Sequence, residues 1–378
     1  MSWIETNLGE CCELYQPQTI TTKDLIEDGK YLVYGANGVI GRYNKYNHEE
    51  PQLLVTCRGA TCGAVNISSP YSWINGNAMV VKPKHKSIDS RFVEYFFRGA
   101  VDLRRAITGA AQPQITRQSL SPIKFQYPPI ATQQKIVAKL DAIFAEIDTA
   151  TATAEANAKN AEALFQSYLN EVFSSNENLT KLKDCTQIKP PKSEIKNLKG
   201  NTSVSFMPME SLGINDKFTI SKQSKDLESV SGSYTYFTEG DVLLAKITPC
   251  FENGKLGIAS NLVNGIGFGS SEYIVFRPNK IIDKEWLYYF LNRESFRVLG
   301  SQHMSGSVGH KRVTKEFIEE TLIPLIPVAK QKEFVGKIDN VFLQSQILKS
   351  ASKSKIRELT LLKQSILQKA FSGELVKD

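Results

Sequence analysis

The feature that most constrains this chain is an internal repeat at a fixed offset of 198 residues. Segment 129–144, PIATQQKIVAKLDAIF, matches segment 327–342, PVAKQKEFVGKIDNVF, at seven of sixteen positions. Without any gap, the same offset aligns residues 164–174 with residues 362–372. A match of this length and phase is typical of a duplicated structural unit. We therefore expect two copies of one unit, each made of a globular segment followed by the repeated segment.

The repeated segments have the hydrophobic pattern of long helices. Apolar or small residues recur at alternating steps of four and three over positions 136–168 and 334–366, with a few polar interruptions. Leu164, Leu348 and Leu362 are among these positions, and no proline interrupts either stretch. This is the pattern of a heptad seam, which predicts that the residues along it are buried against another helix.

We expect one long helix over residues 130–174 and a second, followed by a short tail, over residues 326–378. Forty residues of helix span about 60 Å, and a helix with one apolar seam must bury that seam. The nearest partner is the other copy. Residues 130–174 carry a net charge of −3 and residues 326–378 a net charge of +5, which favours their association. The alternative is that each helix packs only on its own globular segment.

The two globular segments, residues 1–129 and 175–325, also resemble each other. In each, a β-rich run ends at a proline and is followed by a short amphipathic helix with aromatic residues, which we expect to be buried. A polar loop that contains glycine comes next. These loops are residues 108–117 and 305–314. The predicted fold class is α+β, with two mixed α/β globular domains separated by two long helices and an internal pseudo-twofold repeat.

Motifs that would indicate an enzyme are missing from the sequence. It has no phosphate-binding Gly-x4-Gly-Lys-Ser/Thr loop, no Asn-Pro-Pro-aromatic motif and no Gly-x-Ser-x-Gly elbow. The glycines at 265, 267 and 269 precede a strand pattern and resemble a dinucleotide loop only weakly. Cys57 and Cys62 have the spacing of a metal half-site, but they are more typical of core thiols. We therefore expect no catalytic residue and no metal site.

No apolar run approaches the length of about 20 residues that a membrane span requires. The first residues also lack the basic and apolar regions of a secretory signal. The expected location is the cytoplasm, with no membrane partner.

Three further stretches carry a resemblance to a known family. They are YGANGVIG at 34–41, GDVLLAKITPCFENGK at 240–255 and GIGFGSSE at 265–272. Together with the repeated segments and the tail FSGEL at 371–375, they make the chain similar to the specificity subunit of type I restriction–modification enzymes.

The resemblance implies a role in DNA recognition. Residues 1–129 and 175–325 would be target-recognition domains, each of which contacts one half of a split, asymmetric target in double-stranded DNA. The helices would form an antiparallel coiled coil that sets the spacing and docks two methyltransferase subunits, and restriction/translocase subunits would join them. S-adenosylmethionine, ATP and magnesium would belong to those partners, so the chain itself would have no cofactor and no enzymatic activity.

Side-chain chemistry gives candidate DNA contacts. Arginine suits guanine and glutamine suits adenine in the major groove, whereas lysine mostly contacts phosphate. The candidate DNA-binding residues are Tyr43, Lys45, Arg58, Arg104, Arg105, Gln112, Gln114, Arg117, Lys246, Lys255, His303, His310, Lys311 and Arg312. The candidate residues of the subunit-docking helices are Ile136, Leu140, Ile143, Phe334, Ile338 and Val341. For each DNA candidate, the alternative is an ordinary solvated loop side chain.

The net charge of +7 is mild and does not by itself indicate a nucleic-acid partner. A second function therefore stays open, that of a non-catalytic coiled-coil adaptor that joins two protein-binding modules. It would explain the helices but not the polar loops at matched positions.

Overall fold

The structure is a computed structural model that describes residues 3–109, 112–174, 177–307 and 309–375. It contains two compact units. Unit 1 consists of Met1–Glu155 and Lys353–Asp378, and unit 2 consists of Ala156–Ser352. Each unit therefore combines one globular domain with part of each long helix. Among the described residues, no helix is both long enough and apolar enough to cross a membrane.

Unit 1 contains a four-stranded sheet in the order β2-β8-β5-β6, a three-stranded sheet β4-β3-β7 and the pair β1-β9. Its strands are β1 Ile4–Asn7, β2 Cys12–Tyr15, β3 Tyr31–Tyr34, β4 Val39–Tyr43, β5 Leu53–Thr56, β6 Val65–Ile67, β7 Trp73–Ile74, β8 Ala78–Pro83 and β9 Lys124–Tyr127. Its helices are α1 Leu8–Cys11, α2 Ser90–Tyr95, α3 Arg117–Leu120 and the first part of α4 Ile130–Val172.

Unit 2 repeats this plan with one more strand in each of its two larger sheets. Their orders are β11-β19-β16-β17-β13 and β14-β12-β18-β15, and the unit also contains the pairs β10-β22 and β20-β21. Its strands are β10 Leu179–Lys181, β11 Thr186–Ile188, β12 Ser203–Met207, β13 Phe218–Ile220, β14 Gln223–Asp226, β15 Thr235–Thr238, β16 Val242–Ala245, β17 Leu256–Ser260, β18 Ile266–Gly269, β19 Tyr273–Pro278, β20 Met304–Ser305, β21 Arg312–Val313 and β22 Leu322–Pro324. Its helices are α5 Leu182–Cys185, α6 Leu227–Val230, α7 Lys284–Leu291, α8 Glu294–Gln302, α9 Lys315–Glu320 and most of α10 Val328–Phe371.

The aromatic helices α2 and α7 begin in the same way and fill the cores. Asp89 accepts hydrogen bonds from the first backbone N–H groups of α2, and Asp283 does the same for α7. An aspartate at this position satisfies donors that the helix leaves unpaired. The aromatic side chains of both helices are buried, among them Phe92 and Trp286, which are at most 1% exposed. The prediction that these aromatic faces belong to the core is confirmed.

A buried glutamine ties each domain to its long helix. Gln331 is fully buried, its Nε2 donates to the carbonyls of Ile281 (2.9 Å) and Ile326 (2.7 Å), and its Oε1 accepts from the backbone N–H of Asp283 (2.7 Å). In unit 1, Gln133 makes the same three bonds, to the carbonyls of Ser87 and Pro128 and from the N–H of Asp89, at 2.8, 2.8 and 2.9 Å. These two residues are equivalent in the repeat, so the duplicated Gln anchors the duplicated fold.

The two long helices pack against each other in antiparallel fashion, as predicted. In unit 1, Leu367 and Ala370 near the end of α10 join the core that contains Ile136 and Leu140 near the start of α4. In unit 2 the ends are exchanged, because Phe165, Leu169 and Phe173 of α4 share a core with Ile338 of α10. The long helices therefore pack both on each other and on a domain, so the alternative in which each helix packs only on its own globular segment is wrong.

The ion pairs between the helices follow the predicted charge bias. Lys363 pairs with Asp148 in unit 1, and Lys349 pairs with Glu162 in unit 2. In both pairs, the lysine belongs to the basic α10 and the carboxylate to the acidic α4. Because exposed pairs are individually weak, hydrophobic burial sets the pairing and charge adds to it.

The predicted seam is correct at some positions and wrong at others. Along the middle of both helices, buried residues recur every seven positions. They are Leu140, Ile147, Ala154 and Ala161 in α4, and Ile338, Ser345, Ser352 and Leu359 in α10. Leu164, Leu348 and Leu362 are instead 63%, 53% and 46% exposed. A straight helix has 3.6 residues per turn and drifts by about 20° per heptad relative to a strict seven-residue repeat. Burial accordingly moves to Phe165 and Leu169.

The two units differ at one pair of equivalent helix positions, each one residue after the seam positions Leu164 and Leu362. In unit 1, Lys363 lines a groove of about 500 Å³ together with Phe97, Phe144 and Leu367. The repeat-equivalent residue in unit 2 is Phe165, which is 1% exposed and packs on Phe342 with ring centroids 5.1 Å apart. The groove beside Lys363 in unit 1 therefore corresponds to a place that the side chain of Phe165 fills in unit 2.

Candidate nucleic-acid interface

In unit 1 the polar loop is held beside the end of the central strand β5. Residues 57 and 58 continue β5, and Ile115 donates its backbone N–H to the carbonyl of Cys57 at 2.9 Å. Thr108 and Gln114 exchange backbone hydrogen bonds of 2.8 and 2.9 Å across the loop. Ile115 is buried and Thr116 caps α3, so both ends of the loop are fixed. Of the predicted residues, Arg58, Gln112 and Gln114 are exposed here, whereas Ala110 and Ala111 of the loop lie outside the described residues.

In unit 2 the second polar loop has the same position. Val313 donates its N–H to the carbonyl of Lys246, and Thr248 donates to the carbonyl of Lys311, both at 2.9 Å. Residues 246–248 directly follow the central strand β16, and Thr314 caps α9 as Thr116 caps α3. Val308 of this loop lies outside the described residues. We call these two surfaces the unit-1 corner (residues 57–58 and 112–117) and the unit-2 corner (residues 246–248 and 310–313).

Other predicted residues of unit 1 lie away from the corner or at its edge. Tyr43 pairs with Tyr31 at the far end of the β3–β4 hairpin, whereas the turn of that hairpin contacts Thr56 next to the corner. Tyr43 packs edge-on against Trp73, and the exposed Lys45 follows it. The structure therefore does not bring Tyr43 and Lys45 together with Arg58.

The three remaining candidate arginines of unit 1 are exposed. Arg104 and Arg105 follow Asp102 on a short turn, and their side chains are 86% and 88% exposed. Arg104 forms an ion pair with Asp102 at 2.8 Å, which partly neutralises it. Arg117 is the first residue of α3 and lies on the surface.

In the unit-2 corner, Glu272 lies within ion-pair distance of two of the predicted cationic residues. Arg312 donates from Nε and Nη2 to the two carboxylate oxygens of Glu272, at 2.9 and 2.7 Å. Lys246 lies 4.0 Å from the same carboxylate and donates to the carbonyl of Ser271 at 2.9 Å. The guanidinium of Arg312 lowers the pKa of Glu272, and partial burial lowers the pKa of Lys246.

Glu272 is a residue that the sequence analysis missed as a site residue. It stands in a stretch that carried the family resemblance, but 40 positions separate it from Arg312. Only the fold brings the two together. Strand β16 pairs with β19, and the residues that follow β16 pair with those around β21. No spacing signal in the sequence could have identified this pair.

The other candidates of unit 2 are divided between structural contacts and the surface. Lys255 is half-buried and donates to the carbonyl of Met209 at 2.7 Å. The ring of His303 stacks on Phe317, and its Nδ1 lies 2.9 Å from the carbonyl of Leu299 at the end of α8. His310 and Lys311 are exposed beside Arg312.

The predicted docking residues lie mostly inside the protein. Ile136, Leu140 and Ile338 are at most 1% exposed, and they stabilise the packing of helix on domain. Ile143, Phe334 and Val341 are half-buried. A partner at this place would instead contact the exposed apolar side chains of the helices, which are Leu164, Leu343, Ile347, Leu348, Leu361 and Leu362.

Across the described part of the chain, the structure has no group of three or more His, Cys, Asp or Glu residues arranged to hold a metal ion. Cys57 is buried, and burial raises the pKa of its thiol to about 11. The exposed arginine, lysine and glutamine side chains of the two corners are suited to donating hydrogen bonds to a ligand.

Known proteins resemble this chain in sequence. It is 38% identical over 133 residues to the EcoAI specificity subunit of Escherichia coli, a match that covers 35% of this chain and 23% of that protein. The chain thus spans less than a quarter of the length of that relative. It is 24% identical over 380 residues to the EcoKI specificity subunit of Escherichia coli K12, covering 93% of this chain and 81% of that protein.

Solved structures share the fold. A chain from a structure concerned with complex assembly of the type I restriction–modification system superposes with a TM-score of 0.73 at 20% identity and covers 99% of this chain and 98% of its own. The HsdS subunit from Thermoanaerobacter tengcongensis gives a TM-score of 0.56 at 19% identity, with coverage of 99% and 97%.

The type I restriction modification DNA specificity domain matches residues 2–158 and residues 171–358. Those two ranges include both globular domains, both corners and most of each long helix. The chain therefore belongs to the family of type I restriction–modification DNA specificity subunits.

Proposed function

We propose that the two corners read the two halves of an asymmetric, bipartite target in double-stranded DNA. One observation carries this proposal: equivalent strands of the two units hold polar loops in equivalent positions, yet the loops differ in sequence. Arg58 and Gln114 lie in one corner, and Lys246 and Arg312 lie in the other. Two DNA-binding surfaces that differ in sequence and lie on one chain are expected to recognise two different half-sites at a fixed spacing.

Methylation mapping tests this function. The chain is produced together with a pair of methyltransferase subunits in a host that lacks adenine and cytosine methylation, and modified sites are mapped across the genome. We expect a single two-part motif with unlike halves and a constant spacer. If the chain binds the methyltransferase but the modified sites share no such motif, the adaptor function replaces this proposal.

We further propose that the methyltransferase subunits dock on the exposed apolar side chains of the long helices. Leu343, Ile347 and Leu348 of α10 are 56%, 51% and 53% exposed, although large apolar side chains are usually buried. Replacing all three by aspartate should abolish co-purification of the methyltransferase without lowering the melting temperature. The matched control is Gln344→Asp, which adds charge to the same exposed stretch without removing apolar surface. Co-purification that survives the triple replacement would refute this docking site.

The chemistry is proposed to reside in the partners, which include restriction/translocase subunits in a complete complex. S-adenosylmethionine, ATP and magnesium would be bound there, and the whole complex would act in the cytoplasm. The isolated chain should therefore neither methylate nor cleave DNA when these compounds are supplied. Methylation or cleavage by the purified chain alone would contradict this assignment.

A further inference from the structure

The guanidinium of Arg312 is the most firmly positioned exposed cation of the unit-2 corner. Its Nε and Nη2 bind the two oxygens of Glu272, and its Nη1 donates to the carbonyl of His310 at 3.0 Å. The backbone at Arg312 pairs with Ser305 on one side and bridges to Ile247 on the other. Both ends of the side chain are therefore fixed, although 43% of it remains exposed.

The remaining donors of Arg312 have a definite arrangement. An arginine side chain has five N–H donors in a planar fork, and three of them are engaged here. Within the described part of the chain, one N–H on each terminal nitrogen has no partner. An arginine with one N–H available on each terminal nitrogen can donate to the O6 and N7 acceptors that guanine presents in the major groove.

We propose that Arg312 reads a guanine in the half-site of unit 2, and that Glu272 is the positioning residue that holds its guanidinium in the reading orientation. This inference rests on the proposed function of the corners. Both carboxylate oxygens of Glu272 accept hydrogen bonds from Arg312, which assigns Glu272 a positioning role. A side chain that is already ordered loses less conformational entropy on binding, which increases both affinity and selectivity.

The unit-1 corner differs from the unit-2 corner in how its arginine is held. The repeat equivalent of Arg312 is Gln114, and the arginine beside it is Arg58, which bridges to Gln114 through the backbone as Ile247 bridges to Arg312. Among the described residues, the structure gives the guanidinium of Arg58 no carboxylate partner comparable to Glu272. The sharpest requirement for guanine is therefore expected in the half-site read by unit 2.

Lys311 provides the matched control. It adjoins Arg312, is exposed and is a point charge, so its expected role is to contact a phosphate. Losing a phosphate contact weakens binding to all sequences alike, whereas losing a base contact relaxes the preference at one position. The two neighbouring residues thus predict different outcomes in one assay.

The experiment uses the full chain in complex with its methyltransferase subunits. Genome-wide methylation is mapped for the wild type and for Arg312→Lys, Arg312→Ala, Glu272→Gln and Lys311→Ala, and rates are then measured on duplexes that carry each base at each position of the motif. For Arg312→Lys, the preference for guanine at one position of one half-site should fall about ten- to a hundredfold, because lysine cannot form the two parallel bonds.

Glu272→Gln should reduce the preference at the same position by a smaller factor. Lys311→Ala should slow methylation of all sites and leave the motif unchanged. A motif that Arg312→Lys leaves intact overturns the assignment, and so does relaxed preference spread over both half-sites. If Arg312→Ala lowers the melting temperature, the result for Arg312→Lys distinguishes the two roles. A lowered melting temperature with an unaltered guanine preference would mark Arg312 as structural.

Failure of this inference can be distinguished from failure of the proposed function. If the wild-type complex produces no two-part motif, the proposed function is wrong. If it does, and no variant of Arg312 or Glu272 changes a base in that motif, the function stands and only the reading role of Arg312 is refuted.

Discussion

Replacing the buried Gln331 by methionine should destabilise unit 2 strongly, although the side-chain volume hardly changes. The substitution removes three hydrogen bonds, of 2.7, 2.7 and 2.9 Å, and leaves two carbonyls and the N–H of Asp283 without their partner. At about 1 kcal/mol net for each bond, the expected loss in free energy of unfolding is about 3 kcal/mol. For a unit of this size, that corresponds to a fall in melting temperature of about 6–12 °C.

The repeat supplies an internal replicate of this experiment. Gln133→Met removes the same three bonds in unit 1 and should produce a loss of similar size. The control is Gln134→Met, since Gln134 is the exposed neighbour of Gln133 and should tolerate the change. Calorimetry gives the melting transitions, and hydrogen exchange should show faster exchange of the amides of Asp89 and Asp283. Two buried-site variants that both stay within about 0.5 kcal/mol of the wild type would refute the anchoring role.

Three further predictions follow from burial and from the repeat. Ser345→Ala should stabilise the protein by about 1 kcal/mol in urea denaturation, because the buried Ser345 hydroxyl has no hydrogen-bond partner in the described structure; a loss of stability would contradict this. Burial raises the pKa of the Cys57 and Cys185 thiols to about 11, so the unreactive thiol form predominates at pH 8. Iodoacetamide at that pH should leave both unmodified until the chain unfolds, as mass spectrometry of labelled peptides would show. A chain that ends at residue 174 should pair with itself through its helix and direct methylation of a palindromic target, and methylation that remains asymmetric would exclude this pairing.

Much of the fold could be predicted because the repeat has a fixed offset. The match of 129–144 with 327–342 predicted two long helices, and the structure has them at Ile130–Val172 and Val328–Phe371. Periodicity of apolar residues was sufficient to predict the buried aromatic helices as well. It failed at Leu164, which is exposed, because a straight helix drifts by about 20° per heptad relative to a strict seven-residue repeat.

The candidate site was less predictable, since its geometry depends on contacts between distant residues. The sequence drew attention to the two polar loops, and the structure places both of them beside the end of a central strand. It could not indicate that Arg312 is held by Glu272, or that Lys255 and His303 make contacts within the fold. Residue type predicts what a side chain can bind, whereas only the fold determines which partners it already has.

The groove beside Lys363 has a consequence for any molecule assembled from two first halves. In such a pair, residues 155–174 of one copy would replace the end of α10 against the domain of the other, because the repeat makes these segments equivalent. Phe165 would then stand where Lys363 stands now and would enter the space next to Phe97 and Phe144. The self-paired half would thus gain, at this point, an aromatic contact that unit 1 of the natural chain lacks.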